Sequence, residues 1–291
     1  MTGLQRLYDL PAPAKVNLFL HIVGRRADGY HLLQSVFMLI DWCDRLHIER
    51  SHDGSIARVD LQAGALPEDD LCVRAARALQ QATGCTQGAR ITLDKRLPTQ
   101  AGLGGGSSDA ATTLLALNRL WGLKLRRAKL ARIGLGLGAD VPFFIGGRNA
   151  WVEGIGEQIT PITLPAGRLV VVKPQGGAST PQIFASPSLK RDSETATMRG
   201  FAANSLLDLK ACMAFGRNDL QPVAQTLCPE VSDCIDWLAS QGLSARMSGS
   251  GTAVFAPLAP GITSLNAPPA GWQVQVCSNM DVHPLADWCE D

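Results

Sequence analysis

The sequence predicts an α+β fold in two lobes. Near the N-terminus, aliphatic residues alternate with other residues, which is typical of a strand, and several later segments have helical spacing. Strands and helices are mixed without the regular βαβ alternation of a parallel sheet. From about Pro174 to Gly200 the composition is polar and proline-rich, which indicates a linker or mobile loop before a second set of helices and strands. A shift near 165–174 therefore divides the chain into lobes of residues 1–168 and 169–291.

The first strand is predicted from alternation of period two. Its aliphatic set is Ala14, Val16, Leu18, Leu20 and Ile22, and the intervening residues are Lys15, Asn17, Phe19 and His21. Lys15 and Asn17 therefore share the face opposite the aliphatic one. The segment from Gly24 to Gly29 contains Asp-Gly and predicts a turn, after which 30–40 and 45–50 continue the sheet.

The remaining elements follow from spacing and from residues that end helices. Further strands are expected over 90–95, 149–152, 168–173, 244–247, 252–256 and 272–276. Helices are expected over 71–83 with Gly84 as its end, from 110 to 121 with Gly122 as its end, and over 127–133, 205–215 and 231–240.

Composition excludes several classes of function. The 291 residues carry a formal net charge of +1, whereas binding to nucleic acid or to a membrane surface needs a concentrated basic face. The eight cysteines form no C-x-x-C, which favours reduced thiols over zinc or disulfides. No signal peptide and no membrane-length apolar run is apparent. A cytoplasmic protein is expected.

The segment QAGLGGGSSDAA, residues 100–111, has four glycines and two serines directly before a helical pattern. It fits neither the P-loop pattern, since no lysine follows, nor G-x-G-x-x-G, since Ser107 stands at the third glycine position. Two interpretations stay open from spacing alone. One is an anion cradle, in which backbone N–H groups and the helix N-terminus face a phosphate. The other is a tight turn in which Ser107 or Ser108 caps the helix.

Three further features have both a structural and a functional interpretation. The small-residue segment from Met247 to Thr252 lies between two strands, where a hairpin turn is the commoner explanation, but its serines could also face a ligand. Asp140, before Val-Pro, is a natural helix N-cap or a catalytic carboxylate. A lysine on a strand, such as Lys15, usually faces solvent, but Asn17 beside it makes Lys15 a candidate site residue as well.

Taken together, these residues resemble the GHMP kinases, which include galactokinase, homoserine kinase, mevalonate kinase and phosphomevalonate kinase. The segment from Leu97 to Ala111 is similar to their phosphate-binding motif, and Met247 to Gly251 to their C-terminal glycine motif. Residues 13–20, 24–31 and 138–144 resemble the branch whose substrate carries a cytidine diphosphate group. The resemblance extends from about 13 to 255, and the joint occurrence and order of the motifs make it specific.

The resemblance implies a fold and an activity. The fold would combine an N-terminal lobe like the second domain of ribosomal protein S5 with a ferredoxin-like C-terminal lobe. The activity would be transfer of the γ-phosphoryl group of ATP, with Mg2+, to the 2-hydroxyl of a cytidine diphosphate methylerythritol, a step of the non-mevalonate route to isoprenoid precursors. The implied partners are this small molecule and ATP, without nucleic acid or membrane, and the implied state is a monomer or weak homodimer.

The resemblance also assigns roles to residues. Asp140 would be the base that takes the hydroxyl proton, and Lys15 would keep Asp140 ionised and stabilise the transferring phosphoryl group. The ATP phosphate loop would comprise Pro98, Ala101, Gly102, Leu103, Gly104, Gly105, Gly106, Ser107 and Ser108. The second glycine loop would comprise Ser248, Gly249, Ser250 and Gly251. On the substrate side, Asn17 would orient the methylerythritol portion or its hydroxyl, beside Asp140. Tyr30 and Phe184 would stack on cytosine, and His31 would bond its polar edge. Thr180, Asn218 and Asp219 would complete the substrate side. Adenine contacts are expected from 56–95.

Two rivals differ from this interpretation in testable ways. Another GHMP member, such as homoserine kinase or mevalonate diphosphate decarboxylase, would lack the cytidine-reading segment at 24–31. A non-catalytic nucleotide-binding protein on the same scaffold would lack Asp140 or Lys15, and both are present. Without the resemblance, Tyr30 and His31 would be assigned to a core aromatic and a satisfied strand histidine.

Overall fold

The computed structural model describes residues 4–61, 67–205, 207–259, 261–262 and 264–291, with the side chains of 204 and 205 left out. The strands in this part of the chain are β1 (Arg6–Arg25), β2 (His31–Ser51), β3 (Ile56–Asp60), β4 (Gly88–Asp94), β5 (Ala150–Glu153), β6 (Gln158–Pro161), β7 (Arg168–Lys173), β8 (Arg246–Met247), β9 (Val254–Pro257) and β10 (Gln273–Met280). The helices are α1 (Leu71–Thr83), α2 (Gly105–Leu120), α3 (Arg127–Leu135), α4 (Val141–Gly146), α5 (Thr180–Ala185), α6 (Met198–Ser205), α7 (Leu209–Ala214), α8 (Gln221–Leu227) and α9 (Glu230–Ala239), with a short 3-10 helix at Ala286–Trp288.

The long hairpin of β1 and β2 is the framework of the first lobe. The two strands pair antiparallel from Arg6 opposite Glu49 to Arg25 opposite His31. The turn between them is closed by a hydrogen bond from Arg26 N to Tyr30 O (2.7 Å), and Gly29 has a φ of +92°, which favours glycine. The strand and turn predicted from alternation and from Asp-Gly are confirmed.

Strand β1 is buried on both faces because it lies between the lobes. Residues 12–22 are almost all shielded from solvent, including the polar residues Lys15, Asn17 and His21. The interpretation of Lys15 as a solvent-facing strand residue is therefore wrong, since the side chain is only 4% exposed. A second layer covers the face that an isolated sheet would leave in water.

One strand joins the sheets of the two lobes. The strand order runs β3-β4-β2-β10-β7-β9-β8, with β1 and β5 also paired to β2, and β6 paired to β5. In β10, the residues from Gln273 to Ser278 pair with β7, and Asn279 and Met280 pair with Ile40 and Leu39 of β2. The last strand of the chain therefore fixes the lobes to each other.

Three apolar cores hold this arrangement together. The first packs α1, α2 and α4 on the β2–β4 face, and the second lies between the lobes around Phe19, Trp151 and Phe255. The third packs α8 and α9 on β7 and β9. The α+β fold in two lobes is confirmed, whereas the division at residue 168 stays a prediction. Leu285 and Cys289, near the C-terminus, pack in the first core.

The segment from 174 to 200, predicted from its composition as a linker or mobile loop, is more ordered than a linker. It contains α5, and its later residues bond to the first lobe: Ser193 N donates to Ile22 O (2.9 Å), and Ala196 N donates to Gln34 Oε1 (2.7 Å). Polar residues in this segment make specific contacts instead of facing only water. The composition indicated polarity correctly, but polarity alone does not distinguish a mobile loop from one bonded at both lobes.

The other helix and strand predictions differ from the structure mainly at their ends. The helix over 71–83 with Gly84 as its C-cap is confirmed, as is the strand over 168–173. The single helix predicted over 205–215 is instead α7 preceded by α6, because the Asp208 carboxylate accepts from Ala211 N and starts a new helix. Residue 206 of that prediction lies outside the described residues. Across the described ranges, the structure contains no helix of the length and apolarity needed to cross a membrane.

Candidate active site

The glycine segment forms a loop that leads directly into α2. Gly104 is the N-cap residue, with a φ of +72°, and no side chain caps the helix. The interpretation of Ser107 or Ser108 as the capping residue is therefore wrong, since both lie inside the first turn. The first-turn N–H groups of a helix have no partner within it, so this end of α2 presents donors to an anion. The anion cradle is the interpretation that the geometry favours.

The second glycine loop packs directly on this phosphate loop. The Ser248 hydroxyl donates to Gly102 O (3.0 Å) and accepts from Asn17 N (3.2 Å), while Ala253 N donates to Ala101 O (3.1 Å). A Cβ on Gly102 would collide with Ser248 O, and one on Gly251 would collide with the backbone of Ala101. Glycine is required at both positions because the two backbones touch.

Lys15 and Asp140 form an ion pair beside the phosphate loop. Lys15 Nζ lies 3.4 Å from Asp140 Oδ2, and Lys15 N donates to Leu103 O (2.9 Å), so the loop and the lysine are joined through the backbone. Asp140 precedes α4 but makes no capping hydrogen bond with its side chain, which is 29% exposed. Asp140 therefore stands at the N-cap position, as predicted, but its carboxylate does not cap the helix and is partly open to solvent.

Asn17 holds Lys15 in place. Lys15 Nζ donates to Asn17 Oδ1 (2.6 Å), and Asn17 Nδ2 donates to Ser35 Oγ (2.9 Å). The Lys15 ammonium also lies over the ring of Phe37, 4.5 Å from its centroid. These contacts fix the Lys15 side chain in advance, so that it loses little further rotamer entropy when a ligand binds. A fixed cation beside a carboxylate and a phosphate-binding loop suits phosphoryl transfer, in which positioning and electrostatics dominate.

A buried cluster behind the phosphate loop consists of Asp44, Lys95 and Asp109. Lys95 Nζ donates to Asp44 Oδ2 (2.5 Å) and Asp109 Oδ2 (2.7 Å), and a Cβ on Gly105 would lie 3.2 Å from the same ammonium. Asp44 Oδ1 accepts from the N–H groups of Arg96 (2.6 Å) and Leu97 (2.7 Å), while Asp109 Oδ1 has no partner. Burial opposes the charge of Lys95, but Asp109 and Asp44 hold its pKa above the usual value. Burial raises the pKa of Asp109 to about 8, because one lysine cannot fully compensate two buried carboxylates.

We expect Asp109→Asn to change how stability depends on pH. The folded carboxyl keeps its proton up to about pH 8, whereas the unfolded one releases it near 3.8, so the wild type loses stability between these values by up to about 1.4 kcal/mol per pH unit. Asparagine has no proton to lose. Thermal melting at pH 5, 6, 7 and 8 should show the variant gaining on the wild type as pH rises. A constant difference in Tm would contradict the raised pKa of Asp109.

A second group of predicted residues lies at the end of β1 and the start of β2. Tyr30 is 61% exposed, so its ring is not the core aromatic of the structural interpretation. The His31 and Phe184 rings lie side by side, with centroids 5.0 Å apart and planes inclined by 35°. His31 Nε2 accepts from Arg191 Nε (3.1 Å), and no described residue bonds its Nδ1. The Tyr30 and Phe184 rings can stack on a flat base, and the unbonded Nδ1 of His31 can bond its polar edge.

Helix α5 connects Phe184 of this group to the second glycine loop. The Thr180 hydroxyl, at its first residue, is 2.7 Å from Ser250 Oγ, and Phe184 lies one turn later, about 6 Å along the axis. Asn218 and Asp219 are fully engaged within the protein. Asn218 Nδ2 donates to Met247 O and Gly249 O, and Asp219 Oδ2 accepts from Ile22 N and Ser193 Oγ. These two residues shape the second glycine loop and β1.

Pro98 stands partly buried at the start of the loop. Of the segment expected to contact adenine, residues 62–66 lie outside the described residues. Sequence reasoning missed Asp44, Lys95, Ser35 and Arg191. The one available signal was Lys95, which is the last residue of the predicted strand over 90–95 and stands shortly before the glycine loop, whereas Asp44 lies 51 residues away from it in sequence.

Comparison with known proteins gives consistent results for the whole chain. Residues 70–148 match the GHMP kinases N terminal domain, and residues 197–261 match the GHMP kinases C terminal domain. A 4-diphosphocytidyl-2-C-methyl-D-erythritol kinase of Paracidovorax citrulli (strain AAC00-1) is 64% identical, over 99% of each chain. One of Delftia acidovorans (strain DSM 14801 / SPH-1) is 62% identical, over 99% of each chain. A crystal structure of 4-(cytidine 5'-diphospho)-2C-methyl-D-erythritol kinase superposes with a TM-score of 0.75 at 32% identity, covering 94% of this chain and 98% of that one.

Proposed function

Since the chain belongs to the 4-diphosphocytidyl-2-C-methyl-D-erythritol kinases, within the GHMP kinase family, we propose how its own residues carry out that reaction. The γ-phosphoryl group of ATP passes to the 2-hydroxyl of 4-diphosphocytidyl-2-C-methyl-D-erythritol, giving the 2-phosphate and ADP. The observation that carries the mechanism is the Lys15–Asp140 pair, 3.4 Å apart, on the edge of the phosphate loop.

Asp140 takes the proton of the substrate hydroxyl as the oxygen attacks the γ-phosphorus. The bond from that phosphorus to the β,γ-bridging oxygen breaks, and ADP leaves with the electron pair. Lys15 offsets the negative charge that collects on the transferring group, and Asn17 keeps the ammonium oriented toward it. Backbone N–H groups at the start of α2 hold the phosphates of ATP. A positioned base contributes about 100- to 10,000-fold to such a reaction.

The residues at the loop fit a nucleotide-bound Mg2+. The buried Ser108 Oγ has no hydrogen-bond partner, and Ser107 lies beside it in the same turn, so hydroxyl oxygens are available where the phosphates would lie. Within the described residues no cluster of three or more His, Cys, Asp or Glu side chains could hold a metal alone. Magnesium usually keeps only one or two protein ligands and takes the rest from phosphates and water. Bound there, it would neutralise charge on the phosphates of ATP.

The cytidine end of the substrate is proposed to lie at Tyr30, His31 and Phe184. The exposed Tyr30 ring offers an apolar face for stacking, and the unbonded His31 Nδ1 offers a polar contact to the edge of the base. In support, Phe184 lies one turn of α5 after Thr180, whose hydroxyl is 2.7 Å from Ser250 Oγ of the second glycine loop. Location in the cytoplasm, and existence as a monomer or weak homodimer, stay predictions.

The proposed function is tested by coupled measurement of ADP release from purified protein. With ATP, Mg2+ and 4-diphosphocytidyl-2-C-methyl-D-erythritol, ADP is released, and excess EDTA stops the release. Neither mevalonate nor homoserine replaces the cytidyl substrate, because neither has a base to occupy the ring pocket. NMR of the product should place the new phosphate on the 2-hydroxyl. Equal turnover of mevalonate, or a phosphate at another hydroxyl, would contradict the proposal.

A further inference from the structure

Arg191 lies in the segment of residues 174–200, which the sequence predicts to be a linker or mobile loop. Its guanidinium bonds both the imidazole of His31 and the backbone carbonyl of Phe184. Its Nε donates to His31 Nε2 (3.1 Å), and its Nη2 donates to Phe184 O (3.0 Å) and Ser186 O (2.8 Å). Its Nη1 donates to Leu189 O (3.0 Å). Three backbone carbonyls therefore fix the plane of the guanidinium before it reaches the histidine.

This contact determines which imidazole nitrogen carries the proton. A guanidinium has only donors and stays charged in proteins, so the nitrogen facing it must present a lone pair. In neutral histidine, a lone pair on Nε2 places the hydrogen on Nδ1. No described residue bonds Nδ1. His31 therefore offers a single N–H donor to the pocket.

The surroundings of His31 also favour its neutral form. Burial lowers the pKa of His31, and the charges of Arg191 and Arg25 lower it further. Two carboxylates on segments that flank His31 have other partners: Asp28, three residues before it, pairs with Arg26 (2.6 Å), and Glu153 of β5 accepts from Gln34 (2.7 Å). A proton on Nε2 would have to face the guanidinium directly.

We infer that Arg191 is a positioning residue for base recognition, which holds His31 as the neutral Nδ1–H donor and keeps Phe184 beside it. This inference rests on the proposed function, since it assigns the pocket to a pyrimidine base. Cytosine carries two neighbouring acceptors, O2 and N3, whereas uracil has a donor at N3. A fixed donor on His31 therefore favours cytosine.

The first test is a direct measurement on the unaltered protein. Nitrogen-15 NMR of the imidazoles, with His31 assigned by comparison with His31→Gln, should show Nδ1 protonated and Nε2 unprotonated at pH 7.5. The opposite tautomer would overturn the inference without any need for a variant to fold.

The second test uses Arg191→Met, which keeps an unbranched side chain and removes all the donors of the guanidinium. We expect KM for the cytidyl substrate to rise about 10-fold, the loss of one charge-assisted hydrogen bond, while KM for ATP stays within about twofold. The preference for the cytidyl over the corresponding uridyl substrate should fall by a similar factor. In the pH profile of kcat/KM, the midpoint of the acid limb should move to higher pH, because loss of the Arg191 charge raises the pKa of His31.

Lys190→Met is the matched control. Lys190 stands next to Arg191, and its ammonium pairs with the exposed Asp192 (2.6 Å) and with no other described residue, so the same charge is removed from the same segment without touching His31. It should leave both KM values and the pH profile unchanged. If the wild type turns over the cytidyl substrate and Arg191→Met shows neither a raised KM nor a moved midpoint, the inference fails while the proposed function stands. If the wild type shows no turnover of the cytidyl substrate, the proposed function itself fails.

Discussion

Asp140→Asn will lower kcat by about 100- to 10,000-fold and leave ATP binding nearly unchanged. Asparagine keeps the size of the side chain but cannot take the proton of the attacking hydroxyl. Because α4 does not depend on Asp140 for a capping hydrogen bond, its start should survive the change. The ion pair with Lys15, at 3.4 Å, is lost, but Asn17 still holds the ammonium.

The measurement is steady-state kinetics together with equilibrium binding of ATP. Asp192→Asn provides the control, because it removes an aspartate that pairs with a lysine on the surface, where the side chain is 86% exposed. That variant should behave as the wild type. A near-normal rate for Asp140→Asn would remove Asp140 from the role of base, and a large loss of ATP affinity would show that its charge organises the nucleotide site instead.

Gly102→Ala is expected to lower kcat/KM for ATP by about 100-fold. The added methyl group would collide with Ser248 O and lie 2.8 Å from Gly251 N, so the phosphate loop and the second glycine loop must separate. A displacement of about 1 Å in a positioning element costs on the order of 100-fold in rate. The left-handed backbone at Gly102, with a φ of +76°, adds about 1 kcal/mol of strain for alanine.

Gly122→Ala separates the collision from the backbone strain. Gly122 has a φ of +69°, but a Cβ there would meet nothing within 4 Å. This variant should melt a few degrees lower and keep the kinetics of the wild type. If both variants lose activity equally, the packing of the two loops is not what positions the phosphates. If Gly102→Ala retains full activity, the loops can separate without consequence.

The sequence was most informative where structure is set by local patterns. The helix from Leu71 to Thr83 was predictable because its apolar face repeats with helical spacing and a glycine ends it. The strand from Arg168 to Lys173 was predictable from its continuous apolar run. The glycine loop was predictable as a candidate anion site, but its spacing could not decide between a cradle and a turn. That decision depended on the start of α2 at Gly104, which has no side-chain cap, and spacing does not show this.

The remaining errors share a physical cause. Lys15 was interpreted as exposed because alternation shows which residues share a face and not what covers that face. The cluster of Asp44, Lys95 and Asp109 brings together residues from β2, the end of β4 and α2, and such contacts leave no periodic trace. Arg191 stood in a segment whose polarity indicated mobility, and only its bonds to His31 and to backbone carbonyls give it a place in the pocket.

The contact between the two glycine loops determines how late in synthesis on the ribosome the site can form. Synthesis proceeds at about 5–20 residues per second, so about 7 to 30 s separate the emergence of Gly102 from that of Ser248. The delay is longer for β1, because the Ser248 hydroxyl that accepts from Asn17 N lies 231 residues further along the chain. Most of the core around α1 and α2 can begin to assemble on the nascent chain, and Lys15 N can already bond Leu103 O, but the phosphate loop still lacks its contact with the second glycine loop. Each molecule therefore acquires a complete site only near the end of its own translation.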